Sequence, residues 1–336
     1  MSPRKPSMSS AAAMPFPELK RVLLARPRGF CAGVKRAIEA VEIALKLFTH
    51  PVYVFHEIVH NTHVVDDLGT RGARFVEDLE DVPSGSVLVF SAHGVSPQIR
   101  SEAEAKGLQV VDATCPLVTK VHVEAKRFAR QGKTILLVGH KGHEEVVGTM
   151  GEAPESIRVV ISKEDVERVD VPDPDRVAVI TQTTLSLDET REIMDAILAR
   201  FPKVVTPFKK DICYATTNRQ IAVKEIAHRT DMILVIGSRN SSNSRRLAEV
   251  AQALQRRAHL IDDISDIDPR WFEGVKVLGI TAGASAPEHL VREAVNYFIE
   301  MGVEDVEELT SMAEEKVRFG LPTELRRIGS QPFHSS

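Results

Sequence analysis

The chain has 336 residues, 43% hydrophobic and 27% charged, with 43 Lys plus Arg against 47 Asp plus Glu for a net charge of −4. That length allows two or three domains with real cores, and that composition excludes a disordered, collagen-like or membrane-spanning chain. Without a basic block to follow a phosphate backbone, nucleic acid is excluded as the main partner. Three widely spaced cysteines argue against a secreted disulfide framework, so a soluble cytoplasmic protein with reduced thiols and no membrane association is expected.

Residues 1–18 are rich in Ser, Pro and Ala, carry Arg4 and Lys5 and lack the apolar core of a signal peptide, so a disordered extension is expected there. From Arg21 onward, short Val/Ile/Leu runs alternate with helical patterns, the rhythm of parallel sheets covered by helices in an α/β protein. In chain order, strands are predicted at 22–25, 52–55, 87–90, 110–111, 135–138, 177–180, 233–236, 260–261 and 275–280. Helices are predicted at 34–47, 118–130, 187–200, 218–227 and 244–256. The longest apolar runs, such as Ile135 to Val138, have strand length and fall far short of the roughly 20 residues of a membrane span.

The polar punctuation between these elements recurs three times in one order. Cys31 opens a helix, a strand runs into His60, and another ends at Ser91-Ala92-His93-Gly94. Cys115 opens the next, a strand ends at Gly139-His140-Lys141-Gly142-His143-Glu144-Glu145, and another at Thr181-Gln182-Thr183-Thr184. Cys213 opens the third, followed by Ser241-Ser242-Asn243 and by Thr281-Ala282-Gly283-Ala284-Ser285. The offsets 60 − 31 = 29, 143 − 115 = 28 and 241 − 213 = 28 agree. Three α/β modules in a pseudo-threefold trefoil are therefore expected: 19–115 with Cys31, His60 and His93; 116–209, Cys115 at its start, with His143, Glu145 and Thr183; and 210–327 with Cys213, Ser241, Asn243 and Ser285. A tail of residues 328–336 follows. Ligands of open parallel sheets sit beyond the carboxyl ends of strands, where all these groups fall.

Thiolates are soft ligands suited to iron-sulfur clusters or zinc. None of the three cysteines has a second cysteine nearby, as a structural zinc site would require. Three thiols from three modules suit a cluster with one iron left open, which can polarise a substrate oxygen and deliver electrons. The plain alternative is three buried cysteines acting as small hydrophobes. The histidines, Thr183, Ser241, Asn243 and Ser285 form donors and acceptors for a small anion, and the serines and asparagine also read as helix caps. Glu145, beside His143 in a Gly-rich loop, is the carboxyl best placed as an acid, ahead of Glu144.

His56-Glu57-Ile58-Val59-His60 matches the H-E-x-x-H zinc-protease pattern, which requires a helix. The segment follows the strand-like Val52-Tyr53-Val54-Phe55, so its histidines are not expected one turn apart on one face. No P-loop or G-x-G-x-x-G pattern is present.

The segments Pro27-Arg28-Gly29-Phe30-Cys31-Ala32-Gly33-Val34, Asp112-Ala113-Thr114-Cys115-Pro116-Leu117-Val118 and Asp211-Ile212-Cys213-Tyr214-Ala215-Thr216-Thr217-Asn218-Arg219-Gln220, with Phe90 to Ser96 and Thr281 to Pro287, resemble the 4-hydroxy-3-methylbut-2-enyl diphosphate reductases, the IspH/LytB family. The resemblance covers roughly residues 19–327. It implies two-electron reductive removal of an allylic hydroxyl, the last step of the non-mevalonate isoprenoid pathway, yielding isopentenyl and dimethylallyl diphosphates. It further implies a 4Fe-4S cluster on Cys31, Cys115 and Cys213, and an external one-electron donor such as ferredoxin or flavodoxin. By the same resemblance His60, His93, Ser241, Ser242, Asn243 and Ser285 bind diphosphate, Thr183 and Glu145 lie near the hydroxyl, and His143 serves both substrate binding and proton transfer. Two rivals keep a cluster: a non-redox hydro-lyase acting on a small phosphorylated substrate, and a sensor, for which no basic stripe or appended module is visible.

Overall fold

The computed structural model describes residues 16, 18–48, 51–311 and 316–329. Strand β1 (Arg21–Arg26) comes first, then a unit that recurs three times. In the first copy helix α1 (Ala32–Leu47) leads to β2 (Val52–Phe55), α2 (Thr62–Thr70), β3 (Ala73–Val76), β4 (Val87–Phe90), α3 (Pro97–Ala105) and β5 (Gln109–Asp112). In the second, α4 (Pro116–Arg130) leads to β6 (Thr134–Val138), α5 (Glu144–Gly151), β7 (Ile157–Val160), α6 (Lys163–Arg168), β8 (Val177–Thr181) and α7 (Leu187–Arg200). In the third, α8 (Tyr214–Ala227) leads to β9 (Met232–Ile236), α9 (Ser242–Ala253), β10 (Arg257–Ile261), β11 (Val277–Ala282), α10 (Glu288–Glu300) and β12 (Asp305–Thr310), and α11 (Thr323–Gly329) ends the described chain.

All three sheets are parallel, with strand orders β3-β2-β4-β5, β7-β6-β8 and β10-β9-β11-β1-β12. The orders superimpose: an edge strand, the strand after the Cys-headed helix, the next strand, and a fourth position. That fourth position is β5 in the first sheet, a lone bridge from Val205 to Ala178 in the second, and β1 in the third. The central strands β2, β4 and β9 are buried along their whole length, which explains their unbroken runs of aliphatic and aromatic residues: helices cover both faces of a parallel sheet.

The strand at 22–25, expected in the first module, instead lies between β11 and β12 of the third sheet. At the other end, Leu325 of α11 is buried in the core formed by α1, β2, β4 and β5, so the stretch expected to close the third module packs on the first. Part of the expected disordered extension is also ordered: Phe16 is buried, its ring centroid 4.4 Å from that of Phe272 and 5.5 Å from that of Phe298. The remainder of 1–18, apart from Glu18, and residues 330–336 of the tail lie outside the described residues.

The predicted strands all exist, some longer by a few residues, and β3, β7 and β12 were not anticipated. β12 reads Asp-Val-Glu-Glu-Leu-Thr, a charged sequence that hydrophobic patterning passes over. It is held on the sheet edge by ion pairs from Arg21 to Asp305 and Glu307 and from Arg26 to Glu308; charge at a sheet edge also deters pairing with other chains. No helix among the described residues is long and apolar enough to cross a membrane.

Candidate active site

Each cysteine stands where a fourth-position strand hands over to the next module's first helix. Cys31 follows β1 and caps α1, Cys115 follows β5 and precedes Pro116 of α4, and Cys213 caps α8. Their backbone N–H groups are anchored in the same way, each to the carbonyl just past the third strand of the preceding module. Cys31 N–H donates to Ala284 at 3.1 Å, Cys115 N–H to Ala92 at 3.0 Å, and Cys213 N–H to Thr183 at 3.1 Å. The repeat seen in sequence is thus a repeat of hydrogen bonding, and it closes as a ring because β1 belongs to the third sheet.

The second ring of groups lies at the starts of α2, α5 and α9, capped by Asn61, His143 and Ser241. Helix N-termini present N–H groups and the positive end of the dipole to an anion. The starts of α5 and α9, with His60 just before α2, open on one cleft lined by the three cysteines together with His60, His93, His143, Glu145, Thr183, Ser241, Ser242, Asn243 and Ser285. Apart from Glu144, every candidate site residue named from sequence is therefore in one place.

The three imidazoles touch: His60 and His93 stack with centroids 3.9 Å apart, and His143 meets both edge-on at 5.4 and 6.0 Å. Burial pushes His143 down to about 3, helped by its two neighbours, and His60 is lowered for the same reasons. At neutral pH both rings are uncharged. The His143 Nδ1 accepts from Glu145 N–H at 3.1 Å, so its ring proton sits on Nε2 as a donor. His93 Nδ1 pairs with Glu144 Oε2 at 2.7 Å. Burial would raise Glu144, but the His93 hydrogen bond and charge bring it down to about 2, so the residue ranked second in sequence orients a histidine.

Glu145 is 2% exposed. Thr183 grips both its oxygens, the backbone N–H donating to Oε1 at 2.7 Å and Oγ1 to Oε2 at 2.9 Å. Burial raises this carboxyl to about 7 against the lowering pull of Thr183, the range suited to a general acid. On the opposite wall Asn243 Oδ1 accepts from Ala284 N–H at 2.9 Å, Ser285 Oγ donates to the His60 carbonyl at 2.9 Å, and Ser244 Oγ donates to Ser241 Oγ at 3.0 Å. A Cβ on Gly237 or Gly283 would collide with the Ser244 hydroxyl, so those glycines admit the serine cluster. Sequence reasoning missed Thr216, whose N–H donates to Cys213 Sγ at 3.4 Å, and Thr184, which donates to Ser242 Oγ at 3.0 Å. Both stood inside motifs already singled out.

The zinc-protease reading has no helix to stand on. β2 ends at Phe55 and α2 begins at Thr62, His56 has φ +57 and pairs with Glu77, and His60 stacks on His93. Among the described residues the trio whose ligand atoms all approach within 4.8 Å of one another is His60, His93 and Glu144. The three thiols are not part of that trio and line the same cleft, one from the start of each Cys-headed helix. Gly33 keeps the space clear: a Cβ there would lie 2.6 Å from Cys115 Sγ and 3.8 Å from Cys31 Sγ. Burial, with the neighbouring Cys31, pushes the Cys115 thiol up to about 12 and that of Cys213 to about 11, so a cationic centre is what would draw off their protons.

Fold and site together define a class: three α/β modules in a pseudo-threefold trefoil, with three cysteines at helix N-caps beside a ring of histidines and hydroxyls. The LytB protein family model matches residues 22–299, and the chain belongs to that family. It is 55% identical over 321 residues to 4-hydroxy-3-methylbut-2-enyl diphosphate reductase 2 of Mycobacterium tuberculosis, covering 95% of this chain and 96% of that one. It is 54% identical to the enzyme of that name from Streptomyces coelicolor, covering 92% and 91%. The solved structure of the Plasmodium falciparum E-1-hydroxy-2-methyl-but-2-enyl-4-diphosphate reductase superimposes with a TM-score of 0.90 at 40% identity, covering 92% of this chain and 98% of that chain. A second solved structure, of an (E)-4-hydroxy-3-methyl-but-2-enyl diphosphate reductase, gives 0.60 at 33% identity over 84% and 100%.

Proposed function

We propose that this chain reduces 4-hydroxy-3-methylbut-2-enyl diphosphate to isopentenyl and dimethylallyl diphosphates, the terminal step of the non-mevalonate isoprenoid pathway. Two electrons and two protons enter, the allylic C–O bond breaks, and water leaves. The observation that carries this reading is the junction of two sets of groups in one cleft: three cysteines at helix N-caps and, beside them, three histidines with the polar starts of α5 and α9.

Cys31, Cys115 and Cys213 hold a 4Fe-4S cluster with one iron left without a protein ligand. When bound, it supplies single electrons and a Lewis-acid position for the hydroxyl. The electrons come from an external carrier such as ferredoxin or flavodoxin, in the cytoplasm. The protein's own groups do the rest. His60, His93, Ser241, Ser242, Asn243 and Ser285 take the diphosphate, whose charge favours protonation of His60, a ring lowered by burial in the free site. Thr183 holds Glu145 with its carboxyl aimed for proton donation to the departing hydroxyl. His143, its Nε2–H free to donate, bridges the diphosphate and the proton path. The enclosing modules exclude bulk water, which strengthens each of these interactions.

The test is iron and acid-labile sulfide per chain on anaerobically purified protein, with turnover of the allylic diphosphate with and without dithionite. About four of each per chain and strictly reductant-dependent turnover are expected; turnover without reductant would make it a hydro-lyase. In Cys115→Ser, iron content and turnover should fall together, and a retained cluster would refute the three-thiolate assignment.

A further inference from the structure

On the outer side of α5 lies a buried ion pair that the scheme above does not use. His122 of α4 is 3% exposed, and its Nδ1 lies 2.8 Å from Glu152 Oε1 at the C-terminal end of α5. The other Glu152 oxygen lies 3.1 Å from Lys126 Nζ, one turn further along α4. The His122 Nε2 is buried and makes no hydrogen bond. Its Cε1 edge fills the space left by two glycines, lying 3.1 Å from where a Cβ on Gly94 would stand and 3.5 Å from one on Gly148. Gly94, at φ +78, is the residue after His93, and its carbonyl lies 3.3 Å from the same Gly148 position.

Three elements therefore meet on one imidazole. They are the helix headed by Cys115, the helix headed by His143 and Glu145, and the loop that carries His93. We propose that His122, clamped by Glu152, is a positioning residue for proton delivery: it holds the Glu145 helix and the His93 loop in register with the thiol-bearing helix. This rests on the reductase reading.

The electrostatics of Glu145 point the same way. Burial raises it, Thr183 from the β8 loop and His122 from α4 lower it, and Asp211 before α8 raises it. Cys213 faces it from the same segment, and Lys120 of α4 pairs with Asp211 at 2.7 Å. His122 is itself faced by Glu152 and Glu145 of α5 and by Lys126 of its own helix.

His122→Leu fills the volume without a donor, whereas His122→Asn keeps a donor near Nδ1. In the holoenzyme, His122→Leu should lose at least tenfold in kcat with KM and iron content within twofold of wild type, and His122→Asn should recover to within threefold of wild-type kcat. A readout without turnover is the infrared carboxylic-acid band of Glu145, assigned by its loss in Glu145→Gln, whose frequency should shift in His122→Leu as the Thr183 hydrogen bonds loosen and return in His122→Asn. Should His122→Leu not fold, Glu152→Ala, which removes the clamp and leaves the imidazole, should show the same band shift. Wild-type kcat in a folded His122→Leu, or a wild-type band frequency in His122→Leu or Glu152→Ala, would overturn the proposal. A wild-type chain that fails to reduce the allylic diphosphate would overturn the reductase reading alone, because the infrared band needs no substrate.

Discussion

Burial raises the Glu145 carboxyl to about 7, so a sizeable fraction keeps its proton near neutral pH, and its two hydrogen bonds from Thr183 hold it in one orientation. Glu145→Gln keeps the shape and removes the acid, so kcat should fall by about 10²–10⁴-fold while iron content and KM stay near wild type; near-wild-type turnover would exclude the role. Because the donor is the protonated form, wild-type kcat should fall as pH rises through about 7. The histidines impose a different pH dependence on stability. His143 is lowered from 6.5 to about 3, so between those values the unfolded chain binds a proton that the folded chain does not. Stability is therefore lost as pH falls through that window, by about 1.4 kcal/mol per pH unit for one such group. Glu145 acts in the opposite sense, its raised value costing stability as pH climbs from 4.5 towards 7. Urea midpoints between pH 6 and 4 should show a shallower slope in His143→Asn, and an unchanged slope would contradict a neutral buried His143.

At the scale of elements, the site is made of helix starts. Cys31, Cys115, Cys213, His143 and Ser241 stand at the N-caps of five helices that open on one cleft, which aims their dipoles at the thiols and at the polar groups beside them. Gly33, in the first turn of α1, shows how close that packing is. Alanine is ordinarily worth about 1 kcal/mol over glycine inside a helix, yet its methyl would stand 2.6 Å from Cys115 Sγ. Gly33→Ala should leave the thermal midpoint near or above wild type by circular dichroism while lowering iron retention severalfold. Full iron content would show that the thiols can move apart. The strands missed in sequence share a cause: β3 and β7 are four-residue edge strands and β12 is acidic, so none presents the buried run by which central strands are recognised. The Arg partners of β12 come from β1, about 280 residues earlier, and no local window contains both.

For the whole molecule, the modules are interlocked rather than strung together. β1 completes the third sheet, α11 covers the first core, and a polar contact crosses each junction: His93 with Glu144, Lys120 with Asp211, and Thr62 N–H with Ser238. Leu325 is 3% exposed, far in sequence from the core it fills. Leu325→Ala should therefore cost about 2–5 kcal/mol in urea unfolding, and a loss below about 0.5 kcal/mol would mean that α11 is dispensable to that core. The interlocking also means that cutting the chain at the sequence-level module boundaries would strand β1 and α11 from the units they complete.

The chain's own letters were enough for the parallel α/β class, the threefold repeat and the set of residues that line the cleft with the three cysteines. Strand-end motifs at constant offsets are local signals, and the parallel sheet dictates where strand ends converge. What only the tertiary structure decided was which module each terminal segment completes, that Glu144 orients His93 whereas Glu145 is the buried acid, and that His122 lies at the meeting of three elements. Those outcomes depend on burial and on partners tens to hundreds of residues away, and adjacent glutamates in one loop differ chemically only once the fold has placed one against His93 and the other against Thr183.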